Sequence, residues 1–489
     1  MQNKLLINGE WTDGVKGQVI DVTNPYDGSL ITQVAEATEE DIDLAVSAAK
    51  EAFSGWSSLT ATERGRYLLK LADLIDERSE ELAQLETLDT GHPIKDTRFL
   101  DVRRTADTFR YFGGMADKFE GSVIPVESGF LNYVQRKPIG VVGQIVPWNF
   151  PLMFTSWKMA PALAAGNTIV IKPSELTPLS TLKIAEMMLE VGIPAGVVNV
   201  VVGYGHTAGN ALATHYDVGK VAFTGSTQTG KKVIEASASN IKKVQLELGG
   251  KGANVIFEDA NIDAAVNGSA FAIFHNQGQA CIAGSRIIIH ENIKDEFLAK
   301  FIKLAESIKL GDPKDPSTEM GPLTSKMHLD RVLSYIELAK SQGNTILTGG
   351  QQPTDASLKN GYFINPTVVE AKPTDEVFQE EVFGPFVSVT TFSSDEEALE
   401  IANATEYGLG SGLWTSNLSR AHKFAESIRA GMVWINCYKR VNPGSPFGGV
   451  GKSGFGREMG FDAMREYTET KSIWVNYDAK IPPFYKRGE

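Results

Sequence analysis

The chain has 489 residues, which by length alone allows about three domains at ~150 residues each. Hydrophobic residues make up 42% and charged residues 22%, a globular composition that excludes disordered, collagen-like and mucin-like classes. The 60 Asp and Glu against 47 Lys and Arg give a net charge of −13, so phosphate backbones and anionic lipid are poor partners for its surface.

The N-terminus, MQNKLLINGEW, has no apolar core of signal-peptide length and no small-residue cleavage site. The longest strongly apolar run lies near residues 140–147, far short of the ~20 residues needed to span a bilayer, and a cytoplasmic location is expected. From residue 40, Ile42, Ala45, Ala48, Ala49 and Phe53 repeat at helical spacing up to Gly55. Residues 66–88 read as one long amphipathic helix, and 97–118 as another. These form a helical layer with no evident chemistry.

From residue 138, short β-rich runs (140–146, 168–171, 196–202, 220–224, 244–248) alternate with helical stretches such as 180–191 and 229–236. That alternation predicts βαβ units and parallel strands covered on both faces. A second alternating block runs from residue 253 through 367–369, 386–392 and 431–436. The expected class is α/β, with two parallel-sheet domains joined near Gly249–Gly250. The segment 472–477 (SIWVNY) reads as a lone strand that needs pairing from elsewhere, a second subunit included.

Two glycine-rich matches fail on context. Gly449 to Gly454 fits the dinucleotide fingerprint as text but follows no strand and opens no βαβ unit. Gly225 to Lys231 resembles a P-loop, yet Lys232 occupies the place of the magnesium-binding hydroxyl. The strand-turn-helix around Gly225–Ser226 still presents free N–H groups to an anion. No HExxH, zinc-type Cys/His spacing or GxSxG elbow occurs, and no metal is expected.

The only cysteines are Cys281 and Cys437, too few for a disulfide framework. Cys281 lies in the polar, glycine-bearing segment His275–Ser285, where a reactive thiolate and a structural thiol are both open readings. Cys437 ends a strand and reads as a pocket wall or filler. Glu247 follows an apolar-alternating run beside Gly249–Gly250, at the mouth of a strand where clefts form; a surface salt bridge is the other reading.

Seven segments together resemble the NAD(P)-dependent aldehyde dehydrogenase superfamily, of the hydrolytic rather than CoA-acylating type. They are Pro147-Trp-Asn149-Phe-Pro151, Ile171-Lys172-Pro-Ser-Glu175, Phe223-Thr-Gly225-Ser226, Glu247-Leu-Gly-Gly-Lys251, Gly278-Gln-Ala-Cys281, Glu381-Val-Phe383-Gly-Pro385 and Pro446-Phe447-Gly-Gly. The match runs nearly end to end. The resemblance implies Cys281 as nucleophile, Glu247 as general base and Asn149 as oxyanion donor, with Lys158 and Glu458 supporting proton traffic. It implies cofactor contacts from Lys172 and Glu175 (adenine ribose), Gly225 and Ser226 (pyrophosphate), Glu381 and Phe383 (nicotinamide ribose and ring), and Trp148 and Leu248.

The implied chemistry is a Cys281 thiohemiacetal, hydride transfer to NAD, and Glu247-assisted hydrolysis of the thioester. Glu247 marks hydrolysis over transfer to coenzyme A, and the Glu175 carboxylate suits NAD better than the 2′-phosphate of NADP. Substrate walls are expected from Phe150, Phe154, Trp157, Ile282, Cys437 and Phe447, a mostly aromatic set that suits betaine aldehyde or a broad range of aldehydes. The alternative is a carboxylate-bearing semialdehyde met by Lys439 or Arg440, which otherwise read as solvated loop charges. A non-redox thiol hydrolase and an inactive crystallin-like protein are the other classes.

The resemblance also implies a cofactor domain over residues 1–119 and 139–249 and a catalytic domain over 250–467. Residues 120–138 and 468–489 would form a bridging element of a homo-oligomer, a tetramer before a dimer. The family's Ser/Asn-Pro after Gly-Gly-Lys is replaced by Gly252-Ala253, and Ile282 stands where many relatives carry a second cysteine.

Overall fold

The computed structural model describes every residue except 479, 482–483 and 486–489, so the end of the expected bridging element lies outside the described residues. Two parallel α/β units and a small antiparallel sheet make up the architecture.

The first sheet has eight strands. In spatial order they are Gly454–Phe455, Lys243–Glu247, Lys220–Thr224, Val141–Ile145, Thr168–Lys172, Val198–Val200, Leu5–Ile7 and Glu10–Thr12. The five strands from Lys243–Glu247 to Val198–Val200 are parallel, and the additions at both edges are antiparallel. Most residues of these parallel strands are buried, as strands covered by helices on both faces must be. The chain runs outward from Val141–Ile145 in one direction, then returns to its other side at Lys220–Thr224. The strand order therefore reverses between these neighbours, and a crevice opens beyond their carboxyl ends.

The second sheet has seven strands: Thr345–Thr348, Thr367–Glu370, Phe386–Phe392, Arg286–His290, Ala253–Ile256, Gly410–Trp414 and Met432–Ile435. Only the first pair is antiparallel.

The helical layer differs from expectation at one point. The 66–88 pattern is two helices, Ala61–Glu77 and Ser79–Thr90, broken at Arg78 (φ −103°, ψ 24°). Apolar spacing continues through the break because both helices bury residues on either side of it, so periodicity alone passes over the corner. The helix expected at 97–118 opens with a wider turn, Thr97–Val102, before Arg103–Met115.

The tail strand is not alone. Thr468–Asn476 pairs antiparallel over its whole length with Phe130–Pro138 of the same chain, and Ser122–Ile124 completes a three-stranded sheet. Residues 130–138 are mostly half-buried and lack clean alternation, so the residue pattern alone does not mark this strand, although the resemblance groups 120–138 with the tail. Among the described residues, no helix is long and apolar enough to cross a membrane.

Candidate active site

Helix Pro151–Ala164, with Pro at its first turn and every residue buried, begins just beyond the switch-point crevice. Its entry segment carries Trp148 and Asn149. Opposite, Ser226 caps helix Thr227–Ser237 by accepting the Thr229 N–H at 3.2 Å, leaving other first-turn N–H groups facing the crevice. A cleft of ≈ 640 Å³ lies between. Its walls include Trp148, Asn149, Gly225, Ser226 and Leu248, and from the second unit Cys281, Glu381 and Phe383.

The second-unit wall is held under backbone strain. Phe383 has φ +66°, a conformation that non-glycine residues rarely adopt. The His328 imidazole Nε2–H donates to its carbonyl at 2.5 Å, and its ring meets Trp148 edge-on at 5.4 Å. Burial holds His328 down to about 4, so it stays neutral. Glu381 accepts from the Gly250 N–H at 2.8 Å, and burial raises its carboxyl to about 7. A Cβ at Gly249 would stand 2.4 Å from the Glu381 carboxylate, so a larger residue there would displace that carboxylate.

Cys281 follows a turn with three successive left-handed residues, Asn276, Gln277 and Gly278. Side chains fix that turn. Asn276 Nδ2 donates to the Asn149 carbonyl (3.0 Å), Gln277 Nε2 to the Gly91 carbonyl (3.3 Å), and Gln279 Oε1 accepts from the Thr324 N–H (2.9 Å). Asn149 Nδ2 donates to the Gln279 carbonyl at 2.9 Å, which brings its amide to the segment that carries the thiol. Burial, with the Glu381 and Glu247 charges next, pushes the Cys281 thiol upward.

A second, narrow cavity of about 40 Å³ also reaches Cys281. Phe150, Phe154, Trp157, Ile282 and Phe447 line it, and Cys437 is not among its lining residues. Arg104 and Lys439 are. Lys439 is 5% exposed and Arg440 is exposed, so the solvated-loop reading fails for Lys439 and describes Arg440 alone. Lys439 has φ +54°, a left-handed conformation rare outside glycine.

Glu247 ends its strand 1% exposed, lining neither cavity, with both carboxylate oxygens unpartnered among the described residues. Burial is the main cause that raises its carboxyl well above the usual range; Glu458 adds to this, while Lys158 and Arg457 oppose it. Lys158 and Glu458 form a fully buried ion pair beside it.

Lys172 and Glu175 are not in the cleft lining. Lys172 Nζ donates to the carbonyls of Pro173 (2.8 Å) and Gly203 (2.6 Å) and lies 3.4 Å from Glu175. Their turn adjoins the cleft through Thr177, whose hydroxyl donates to the Trp148 carbonyl at 3.2 Å.

Sequence reasoning missed Arg104, His328 and Arg331, which donates to the Glu381 carbonyl at 2.8 Å. No local pattern marks them, because each acts across a long chain separation. No group of three or more His, Cys, Asp or Glu suited to a metal occurs among the described residues.

The sequence model of the aldehyde dehydrogenase family matches residues 11–473. The crystal structure of PnpE from Pseudomonas sp. WBC-3 superimposes with a TM-score of 0.99 at 72% identity over the whole of both chains, and PnpE has also been crystallised with nicotinamide adenine dinucleotide. An aldehyde dehydrogenase of Davidiella tassiana is 46% identical, covering 96% of this chain and 95% of its own. Betaine aldehyde dehydrogenase of Bacillus subtilis (strain 168) is 45% identical, covering 97% of this chain and 98% of its own. The chain belongs to the aldehyde dehydrogenase family and is an NAD(P)-dependent aldehyde oxidoreductase.

Proposed function

We propose that Cys281 is the nucleophile of a hydrolytic aldehyde oxidation that takes NAD in preference to NADP. The observation that carries this is the position of Cys281 in the linings of both cavities, the wide cleft and the narrow tunnel. A thiol there meets a cofactor on one side and an aldehyde on the other.

The cleft fits a dinucleotide. It combines a helix N-terminus for the pyrophosphate, a carboxylate for ribose hydroxyls at Glu381, and aromatic faces at Trp148 and Phe383. NAD supplies the hydride acceptor when bound. Lys172 and Glu175 hold the adenine ribose in this reading, and Glu175 repels a 2′-phosphate.

The remaining chemistry belongs to the chain. The Cys281 thiolate attacks the carbonyl carbon, and charge develops on the aldehyde oxygen, where the Asn149 amide and the Cys281 N–H stabilise it. After oxidation, Glu247 takes a proton from the water that cleaves the thioester, and burial, which raises its carboxyl, makes its carboxylate a stronger base. The Lys158–Glu458 pair receives that proton from Glu247.

The domain reading accompanies this function: 1–119 and 139–249 bind the cofactor, 250–467 carry the thiol, and 120–138 with 468–489 bridge subunits of a homo-oligomer, a tetramer first. Exposed apolar side chains on the three-stranded sheet, Val123, Leu131 and Trp474, support that last role. Two unpaired thiols suit a reducing compartment, the cytoplasm.

The test is NADH formation from an aldehyde panel by the native chain and by Cys281→Ala. Turnover must vanish in the variant; retained turnover would falsify the assignment.

A further inference from the structure

The tunnel carries cations that the chemistry at Cys281 does not use. Lys439 is buried, and its ammonium has no hydrogen-bond or ion-pair partner among the described residues. The ammonium lies over the Phe271 ring, 5.9 Å from the centroid. Arg104, half-buried on helix Arg103–Met115, lines the same tunnel, and no hydrogen bond or ion pair of its guanidinium occurs among the described residues. Asp96 and Asp101 act on these cations only from beyond ion-pair distance. His275, the third polar group of the lining, has Nδ1 unpartnered and is held neutral by burial with Lys439 and Arg104 nearby. No carboxylate lines the tunnel.

Burying an ammonium without a counter-charge is costly, and a chain retains such an arrangement only where something compensates it. A bound anion compensates both cations at once. Resting on Cys281 as the attacking thiol, we propose that Arg104 and Lys439 bind the distal carboxylate of the aldehyde substrate, so that the enzyme oxidises semialdehydes of carboxylic acids. The guanidinium takes a carboxylate through paired N–H donors, the ammonium adds a point charge, and His275 offers a neutral N–H. The aromatic walls then hold the slender carbon chain between the two ends. A betaine-type aldehyde fits poorly, because its quaternary ammonium would face two like charges.

Two measurements test this. The first compares kcat/KM for succinic semialdehyde and 4-formylbenzoate with their neutral counterparts, butanal and benzaldehyde, and with betaine aldehyde. The native enzyme should favour a carboxylate member over its neutral counterpart, and Lys439→Met and Arg104→Met should each lower that ratio about 10- to 100-fold. Lys439→Arg should restore most of it. The second measurement needs no turnover: the rates at which iodoacetate and iodoacetamide alkylate Cys281, each divided by the rate with free glutathione. The tunnel should enrich the anionic reagent over the neutral one by at least about 10-fold, and either Met variant should remove the enrichment.

NADH formation without any carboxylate preference, or a preference that survives both Met variants, overturns the proposal. Anion-selective alkylation with no NADH from any aldehyde would instead sink the oxidation reading and support the anion site.

Discussion

Lys158 and Glu458, 300 residues apart in the chain, form an ion pair with both side chains fully excluded from solvent, and Glu458 raises the carboxyl of Glu247 while Lys158 lowers it. Glu458 Oε2 and both Glu247 oxygens lack partners among the described residues. Burial sets most of the basicity of Glu247, and the opposed charges of Glu458 and Lys158 adjust it.

Removing either member of that pair should therefore have opposite effects on pH dependence. Glu458→Gln removes a negative neighbour, so the pH at which the deacylation rate rises should move down. Lys158→Met removes a positive neighbour, so it should move up. Each leaves a buried charge uncompensated and should cost about 3–5 kcal/mol of unfolding free energy. Single-turnover deacylation rates across pH, with urea unfolding of each variant, check both statements; shifts in the same direction would refute the coupling.

Replacing Glu247 with Gln keeps the shape and removes the base. Acylation and NADH formation should then proceed once per active subunit, and hydrolysis should slow by about 10²–10⁴-fold. Rapid mixing should show a stoichiometric NADH burst followed by a stalled phase. A loss of the burst itself would place Glu247 earlier in the reaction.

Gly278 sits at φ +72°, and a Cβ there would approach the Gly384 carbonyl oxygen to 1.9 Å. Gly278→Ala should displace the turn that carries Cys281 from the strand-end segment beside Phe383. Oxidation should fall by at least about 10²-fold, as misplacing reactants by an ångström does. Alkylation kinetics of Cys281 would report the displacement independently of turnover.

Much of this arrangement was legible in the sequence, for physical reasons that differ between residues. The buried parallel strands announce themselves as apolar runs, and Phe386–Phe392 was expected at its observed limits. Arg286–His290 and Gly410–Trp414 passed unread, the first because three isoleucines also suit a helix, the second because its glycines weaken any strand pattern. Glu247, Cys281 and Asn149 stood in motifs and could be named. Lys439 could be seen as a charge but not as a buried one, since its burial arises only where distant segments, among them the one that carries Arg104, meet around one cavity. Arg104 carried no signal at all.

Lys439 gives the last prediction. Burial, with Arg104 acting the same way, lowers its ammonium from 10.5 to about 7, while Cys281 and Asp96 oppose the shift. The folded chain therefore binds fewer protons at this site than the unfolded chain between pH 7 and 10.5, and stability rises with pH across that window as far as this group contributes. Below pH 7 the full penalty of a buried, charged ammonium remains. Lys439→Met, similar in length and without charge, should raise the unfolding free energy by about 1–3 kcal/mol at pH 6, and the gain should shrink as pH rises towards 10. The same substitution should lower the carboxylate preference about 10- to 100-fold, so a residue that destabilises the fold is kept for what it binds. Urea unfolding of both proteins at pH 6 and 9, each with and without succinate, measures this. Succinate should stabilise the native chain at pH 6 more than the variant, because an anion that binds only the folded state adds stability by mass action. Equal stabilisation of both would show that the ammonium does not meet the anion.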